Sequence, residues 1–377
     1  MTLVRLMTAG AVTIAVMIAC AVHPNARTGG AQPVRGPADQ MDPEIREILS
    51  LAAGASSSHN AQPWRVEISG SGLLTLRAEP DRYLPAADPE NREMFLSFGA
   101  FLETLDTAAR ALGYATEISI LADALGAAEI AAIRLEKIEE RRDTATVNLL
   151  ASVYTPKGDL GTDALDPGTI GELETGQTAQ LRYLPADSAG FQWVRGQTPA
   201  ASLQQAWRDP VQEELAQFLH FSKRSARKAG YGLTPEMMEV PPVGRFFWYT
   251  FMSRKSALSK SFRDSIEGIT ADQLDNCAGV FILSSADLSP SALIEAGRQY
   301  QRLKLSAFRQ GIGIHPLSSL LEEEPWKEQV DSKFQSDRPV QFILRTGRLQ
   351  GELPDFESDA ITSASIRMRP EQFVSMD

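Results

Sequence analysis

Apolar residues recur at helical spacing in several stretches of this chain. From Asp42 onward they fall at Ile45, Ile48, Leu49, Leu51 and Ala52. Asp42 supplies an N-cap acceptor, Pro43 suits the first helical position and Glu44 places an acid in the first turn, so the pattern predicts a helix ending at Gly54. Met94 to Leu112 carries an unbroken helical pattern in which Gly99, Ala100, Ala108 and Ala109 would let a second helix approach closely, with Gly113 as C-cap. Pro210 to His220 and Ser291 to Gln310 read as two further helices. Trp64 to Ile68 and Leu73 to Ala78 alternate apolar with polar around Ser-Gly-Ser-Gly, which predicts a hairpin. Val280 to Leu283 and Val340 to Arg345 read as buried strands, the charged stretch Glu136 to Asp143 as a solvated helix face or strand edge, and the polar stretch after Asp166 as irregular. Strands flanked by long helices make the expected class α+β or α/β.

The N-terminus breaks this rhythm. Arg5 precedes an apolar run from Leu6 to Ala19 and then Cys20, the layout of an export signal. Ile18-Ala19-Cys20 resembles a lipobox with Met17 in place of its usual Leu, so residues 1–20 read as a signal peptide with Cys20 as lipidation site. An uncleaved membrane anchor is the alternative, because Leu3 to Val22 just reaches the ~20 residues that a spanning helix needs. Residues 21–41, rich in Pro, Gly, Ala and Gln, form a linker. The expected location is extracytoplasmic, periplasmic in a two-membrane cell, with the membrane touched only through the N-terminus.

Composition narrows the partners. Of 377 residues, 43% are hydrophobic and 23% charged, enough for a sizeable core. A net charge of -11 argues against nucleic acid, which is bound by surplus Lys and Arg. The four histidines show no ligand spacing and no CxxC pair occurs, so a metal centre is not expected. Cys277, in an apolar context, reads as a small core residue.

One internal comparison organises the rest. Gly99, Leu105, Ala109 and Gly113 recur at a constant offset of 198 as Gly297, Leu303, Ala307 and Gly311. This reads as a tandem duplication, with a first half over 42–200 and a second over 201–377.

The most specific string is Ala55-Ser-Ser-Ser-His-Asn-Ala-Gln-Pro-Trp64. Ser57 and Ser58 would present hydroxyls and backbone N–H groups, Asn60 and Gln62 would offer donor and acceptor to a heterocycle edge, and Trp64 would be core. The string resembles the A-P-S-x-x-N-x-Q-P-W segment of the nitroreductase family, with Ser56 at the Pro position. Lys223, Arg224, Ser225 and Arg227 are similar to that family's R-R-S-x-R element, which implies a hold on the phosphate of FMN. Gly311 to Ser319 resembles the family's G-x-x-x-x-P loop, implying that Pro316, Leu317, Ser318 and Ser319 approach the flavin. His315 beside them is open to a general-acid or a positioning reading. Arg367 and Arg369 look like the terminal basic pair.

Family members are homodimers with a flavin site at the interface, and here the complementary pieces fall in different halves of one chain. The resemblance therefore implies a nitroreductase-like fold folded as an intramolecular pseudo-dimer, in the fused Acg-like branch, with one FMN site and no obligate second copy. The implied activity is reduction of a small planar acceptor such as a nitro compound or quinone, with NAD(P)H as electron donor. A non-catalytic flavin-binding or flavin-sequestering protein, or a tethered structural protein that lost its site, are the competing readings. Arg245 to Phe251 reads either as core or as an aromatic lid.

Overall fold

The structure, a computed structural model, describes residues 41–70, 72–175, 180–351 and 366–376. The expected signal and Cys20, with all of the expected linker except Met41, lie outside them. No helix among the described residues is long and apolar enough to cross a membrane.

The first described element is α1 (Pro43–Ala52), capped by the Asp42 carboxylate, which accepts from Glu44 N at 2.9 Å and Ile45 N at 3.2 Å. A hairpin of β1 (Trp64–Ser69) and β2 (Leu73–Ala78) follows, then α2 (Arg92–Ala111), β3 (Tyr114–Ile120) and β4 (Glu129–Lys137). After α3 (Thr144–Ser152) and α4 (Pro167–Glu174) come β5 (Gln180–Pro185) and α5 (Ala189–Trp207). The helices before β6 (Gly279–Ser284) include α6 (Asp209–Phe218), α7 (Lys223–Ala229), α8 (Pro242–Phe251) and α9 (Lys260–Asp275), with one short turn of helix at Arg254–Ala257. The last part holds α10 (Pro290–Arg309), β7 (Ile312–Leu317), β8 (Val340–Arg348) and a short β9 (Val374–Met376). The mixture of helices and antiparallel sheets is the α+β class.

The strands form two sheets, ordered β3-β4-β2-β1-β9 and β5-β6-β8-β7. In each, the first and second strands pair, the long helix intervenes, and the third and fourth pair, with the second and fourth adjacent. All of these pairings are antiparallel. β9 joins the first sheet in parallel at β1, matching Val66 with Val374. One core runs from Val66 and Leu76 of the first sheet through α2 and α10 to Phe281 and Leu344 of the second. Val280 and Ile282, on the other face of β6, pack with Phe191 and Val194 of α5. β6 is thus buried on both faces, which explains its unbroken apolar sequence.

The two long helices cross backbone to backbone. A Cβ on Gly99 would lie 2.0 Å from the Ile294 carbonyl oxygen, and one on Gly297 2.0 Å from that of Leu96. Beside this crossing the buried Glu103 carboxylate meets Arg298 Nε at 3.0 Å and Arg302 Nε at 2.8 Å. Both helices end in a glycine with positive φ, Gly113 at 80° and Gly311 at 74°.

Two expectations need correction. The stretch after Asp166 is not irregular but holds α4, β5 and α5. Gly311 to Leu317 is not a loop but enters β7, because its alternation of Ile312, Ile314 and Pro316 matches β8 across Arg348, Thr346 and Leu344. Cys277 is a buried core residue, 2% exposed.

Candidate active site

A cavity of about 720 Å³ opens where the Ser56–Asn60 loop, α2 and the end of β7 meet. Its wall takes Ser57, Ser58 and Asn60 from the loop, Glu93 and Leu96 from α2, and Pro316, Leu317 and Ser318 from β7 and its exit. Tyr154, Thr155 and Lys157, with Tyr300 of α10, Glu322 and Arg367, complete the polar side. Residues between Leu215 and Ile269, with Trp248 of α8 among them, make the rest largely apolar.

The loop is held in an unusual backbone. His59, Asn60 and Gln62 have φ of 51°, 51° and 53°, a region that surrounding contacts must enforce. Those contacts come from Asn60 and Gln62 themselves. Asn60 Nδ2 donates to the Gly232 carbonyl at 2.8 Å and Gln62 Nε2 to that of Gly230 at 2.8 Å, while Gln62 Oε1 accepts from Met368 N at 3.0 Å. Arg367 Nη1 donates to Asn60 Oδ1 at 2.9 Å. The amides expected to read a heterocycle edge are thus staples between the loop, the Gly230–Gly232 turn and the C-terminal segment. Gln62 is fully buried and does not line the cavity, although Asn60 does. Trp64 is core, its ring centroid 4.9 Å from that of Phe101.

The basic element is elsewhere. Lys223, Arg224, Ser225 and Arg227 stand exposed on α7, outside the cavity, because Ala226 supplies the face that this short helix buries. Lys223 pairs with Glu236 at 3.7 Å, and Ser225 Oγ lies 3.2 Å from His220 Nδ1. Ser319 turns away to Ser202 Oγ at 3.0 Å, and Arg369 is exposed, whereas Arg367 reaches the cavity. On α8, Trp248 is buried, donates to the His220 carbonyl at 2.9 Å and forms wall, while Phe246 and Phe251 face outward.

Several groups appear that the motifs do not name. Glu93 and Glu322 face the cavity as a hydrogen-bonded pair. Burial and the Glu93 charge push Glu322 well above the ordinary carboxyl range, while Arg92, at 3.1 Å, and Ser58 keep Glu93 ionised despite its burial. Lys304 sits among the buried residues of α10, its pKa lowered to about 7 first by burial and then by Arg367 and Lys157. Lys157 is lowered to about 8, by burial and then Arg345. His315 lies behind the cavity in β7, its Nε2 2.7 Å from Lys157 Nζ. Burial first, then Lys157, holds that imidazole neutral, which suits it to accept from the ammonium and so to position it. Lys304 was legible in principle as a lysine one turn after Tyr300 on an otherwise apolar stripe.

Comparison with known proteins adds the class. No family model matches the chain. Over 311 residues, 80% of this chain and 84% of the relative, it is 25% identical to a Mycobacterium tuberculosis protein named as an NAD(P)H nitroreductase, found in strains CDC 1551 and H37Rv. Over 308 residues, 75% of this chain and 82% of the relative, it is 24% identical to a Serratia protein named as the NAD(P)H nitroreductase PigM. These relatives support placing the chain with the nitroreductases and reading it as an oxidoreductase of that type.

Proposed function

We propose that this protein is an FMN-dependent oxidoreductase of nitroreductase type, which reduces nitro, quinone or similar planar acceptors at one flavin site per chain. The observation that carries the reading is the cavity. It brings the Ser57–Asn60 motif and the Pro316–Ser318 motif, some 260 positions apart in the chain, onto one wall. The donor set fits FMN. Ser57, Ser58, Ser318 and Arg367 offer polar contacts, the Leu and Trp wall suits a flat ring, and His59 Nδ1 and Arg367 Nε are buried without a protein partner. Bound FMN would supply two-electron redox chemistry.

The chain's own residues supply the surroundings. Glu322, kept protonated by burial and by Glu93, holds a proton at the cavity wall that an acceptor gaining hydride needs. The apolar wall keeps water away from the reacting face. NAD(P)H, named for the relatives, is the donor this reading assigns.

The same strand order in both sheets, the contact of Gly99 with its offset partner Gly297, and the matched Gly113 and Gly311 support a duplicated chain forming a pseudo-dimer, as in the fused Acg-like branch. The test is direct. Purified protein should show the visible absorbance of an oxidised flavin, or bind added FMN, and should oxidise NAD(P)H when a nitroaromatic or quinone is supplied. Absence of any flavin binding refutes the reading.

A further inference from the structure

Three cations meet at the polar side of the cavity with no acid among the described residues to neutralise them. Lys304, 2% exposed, donates to Ser56 Oγ at 2.9 Å and Thr155 Oγ1 at 2.8 Å, and the Tyr300 hydroxyl lies 3.3 Å from the same Ser56 oxygen. Lys157 Nζ rests on His315 Nε2. Arg367 places Nη1 on Asn60 and Nη2 on the Gly54 carbonyl at 3.3 Å, leaving Nε unused. Among the described residues, none of the three lies within ion-pair distance of a carboxylate. The nearest acid, Glu239, accepts from the Lys157 backbone N–H at 2.8 Å, while Arg345 behind it adds charge and is spent on the carbonyls of Gln273 and Gly158.

Buried like charges cost several kcal/mol each when unpaired. The depressed ammonium groups of Lys157 and Lys304 record that cost. A doubly charged anion would reverse it, and forked guanidinium, ammonium and hydroxyl donors are the mixture a phosphate accepts.

The geometry points to Lys157, Lys304 and Arg367, with Ser56, Thr155 and Tyr300, as the seat of a phosphate dianion carried by the cavity's ligand. This site takes the place of the exposed Lys223–Arg227 helix. For its first ligand, FMN, the inference rests on the flavin reading above; a nicotinamide dinucleotide phosphate is the other carrier with this chemistry.

FMN and riboflavin differ only in that group, so their affinities for the full chain test the site. The wild type should bind FMN at least tenfold more tightly than riboflavin. Lys304→Met, which replaces a buried charge by an apolar side chain of similar length, and Lys157→Met should each cut that gap below threefold. The double change Arg224→Ala with Arg227→Ala should leave it intact. A gap that survives both lysine changes, or that vanishes only in the arginine variant, overturns the proposal.

Inorganic phosphate probes the site without flavin. At equal ionic strength it should raise the Tm of the wild type relative to chloride and leave that of Lys304→Met unchanged. No flavin binding together with this phosphate effect would refute the flavin reading and keep the site. Flavin binding with neither discrimination nor phosphate effect would do the reverse. FMN and riboflavin binding alike, with the phosphate effect present and NADPH binding weakened in Lys304→Met, would assign the dianion to the donor.

Discussion

Lys304 and Glu322 are ionisable side chains that the fold buries against their charged forms, and each leaves a signature in pH dependence. The Lys304 ammonium falls to about 7 in the folded chain from an ordinary value near 10.5. Between those values the unfolded chain binds the extra proton, so stability rises with pH through that window and the penalty is fully present below it. In buffer free of phosphate and sulfate, Lys304→Met should therefore be more stable than the wild type at pH 6.5, with the difference shrinking by pH 10. Urea unfolding at the two pH values measures it, and a less stable variant at pH 6.5 would contradict the burial argument. Glu322 has the opposite sense: its folded pKa is raised, so its contribution is intact below about 4.5 and is lost as pH rises. Glu322→Gln should match the wild type in stability near pH 4.5 and exceed it at pH 7. If its proton serves the acceptor, the same change should lower kcat by about 10²-fold while the affinity for the donor stays unchanged.

At the scale of elements, the crossing of α2 and α10 decides how closely the two sheets approach. Gly297→Ala would drive a methyl to 2.0 Å from a carbonyl oxygen, so the helices must part. Thermal unfolding should show a loss of several kcal/mol, whereas Gly171→Ala, with open space around its Cβ in α4, should gain up to about 1 kcal/mol. A Gly297→Ala protein with wild-type Tm would mean that the crossing is slack.

Elements with strong local signals were legible in the sequence. α1 announces itself through Asp42 and Pro43, the first hairpin through alternation, and β6 and β8 through runs of buried apolar residues. α5 was not, because its buried stripe of Phe191, Val194, Thr198 and Ala201 is half small or polar and Pro199 interrupts it. β3 was missed for a similar reason: only Tyr114 of its seven residues is buried, so no face declares itself. The site divides the same way. The loop around Asn60 was visible as a string, yet the direction of its amides depends on residues 230–232 and 366–368, which no local pattern reveals. Arg367 was named by its resemblance to a terminal basic pair, but Lys157 acquires meaning only when β7, α10 and the Arg367 segment converge.

At the scale of the whole molecule, a cavity composed from both ends of the chain predicts a binding stoichiometry of one. Titration of FMN into the full chain should saturate at one equivalent, and a value of two would reveal a second competent site. Deleting residues 366–377 should abolish binding and destabilise the first sheet together, since that segment supplies Arg367, pairs with β1 and places Phe373 against Phe101. Retained binding in the truncated protein would show that the staple is dispensable.

The position of β9 has a bearing on biogenesis. β9, which completes the first sheet at β1, is made long after the hairpin it joins, since Val374 pairs with Val66, and Arg367 comes with it. During synthesis the early hairpin must wait with the β1 edge unpaired, an arrangement that invites mispairing in a growing chain. On the proposed reading, ligand capture is then a late event, possible only once Arg367 has joined the earlier elements.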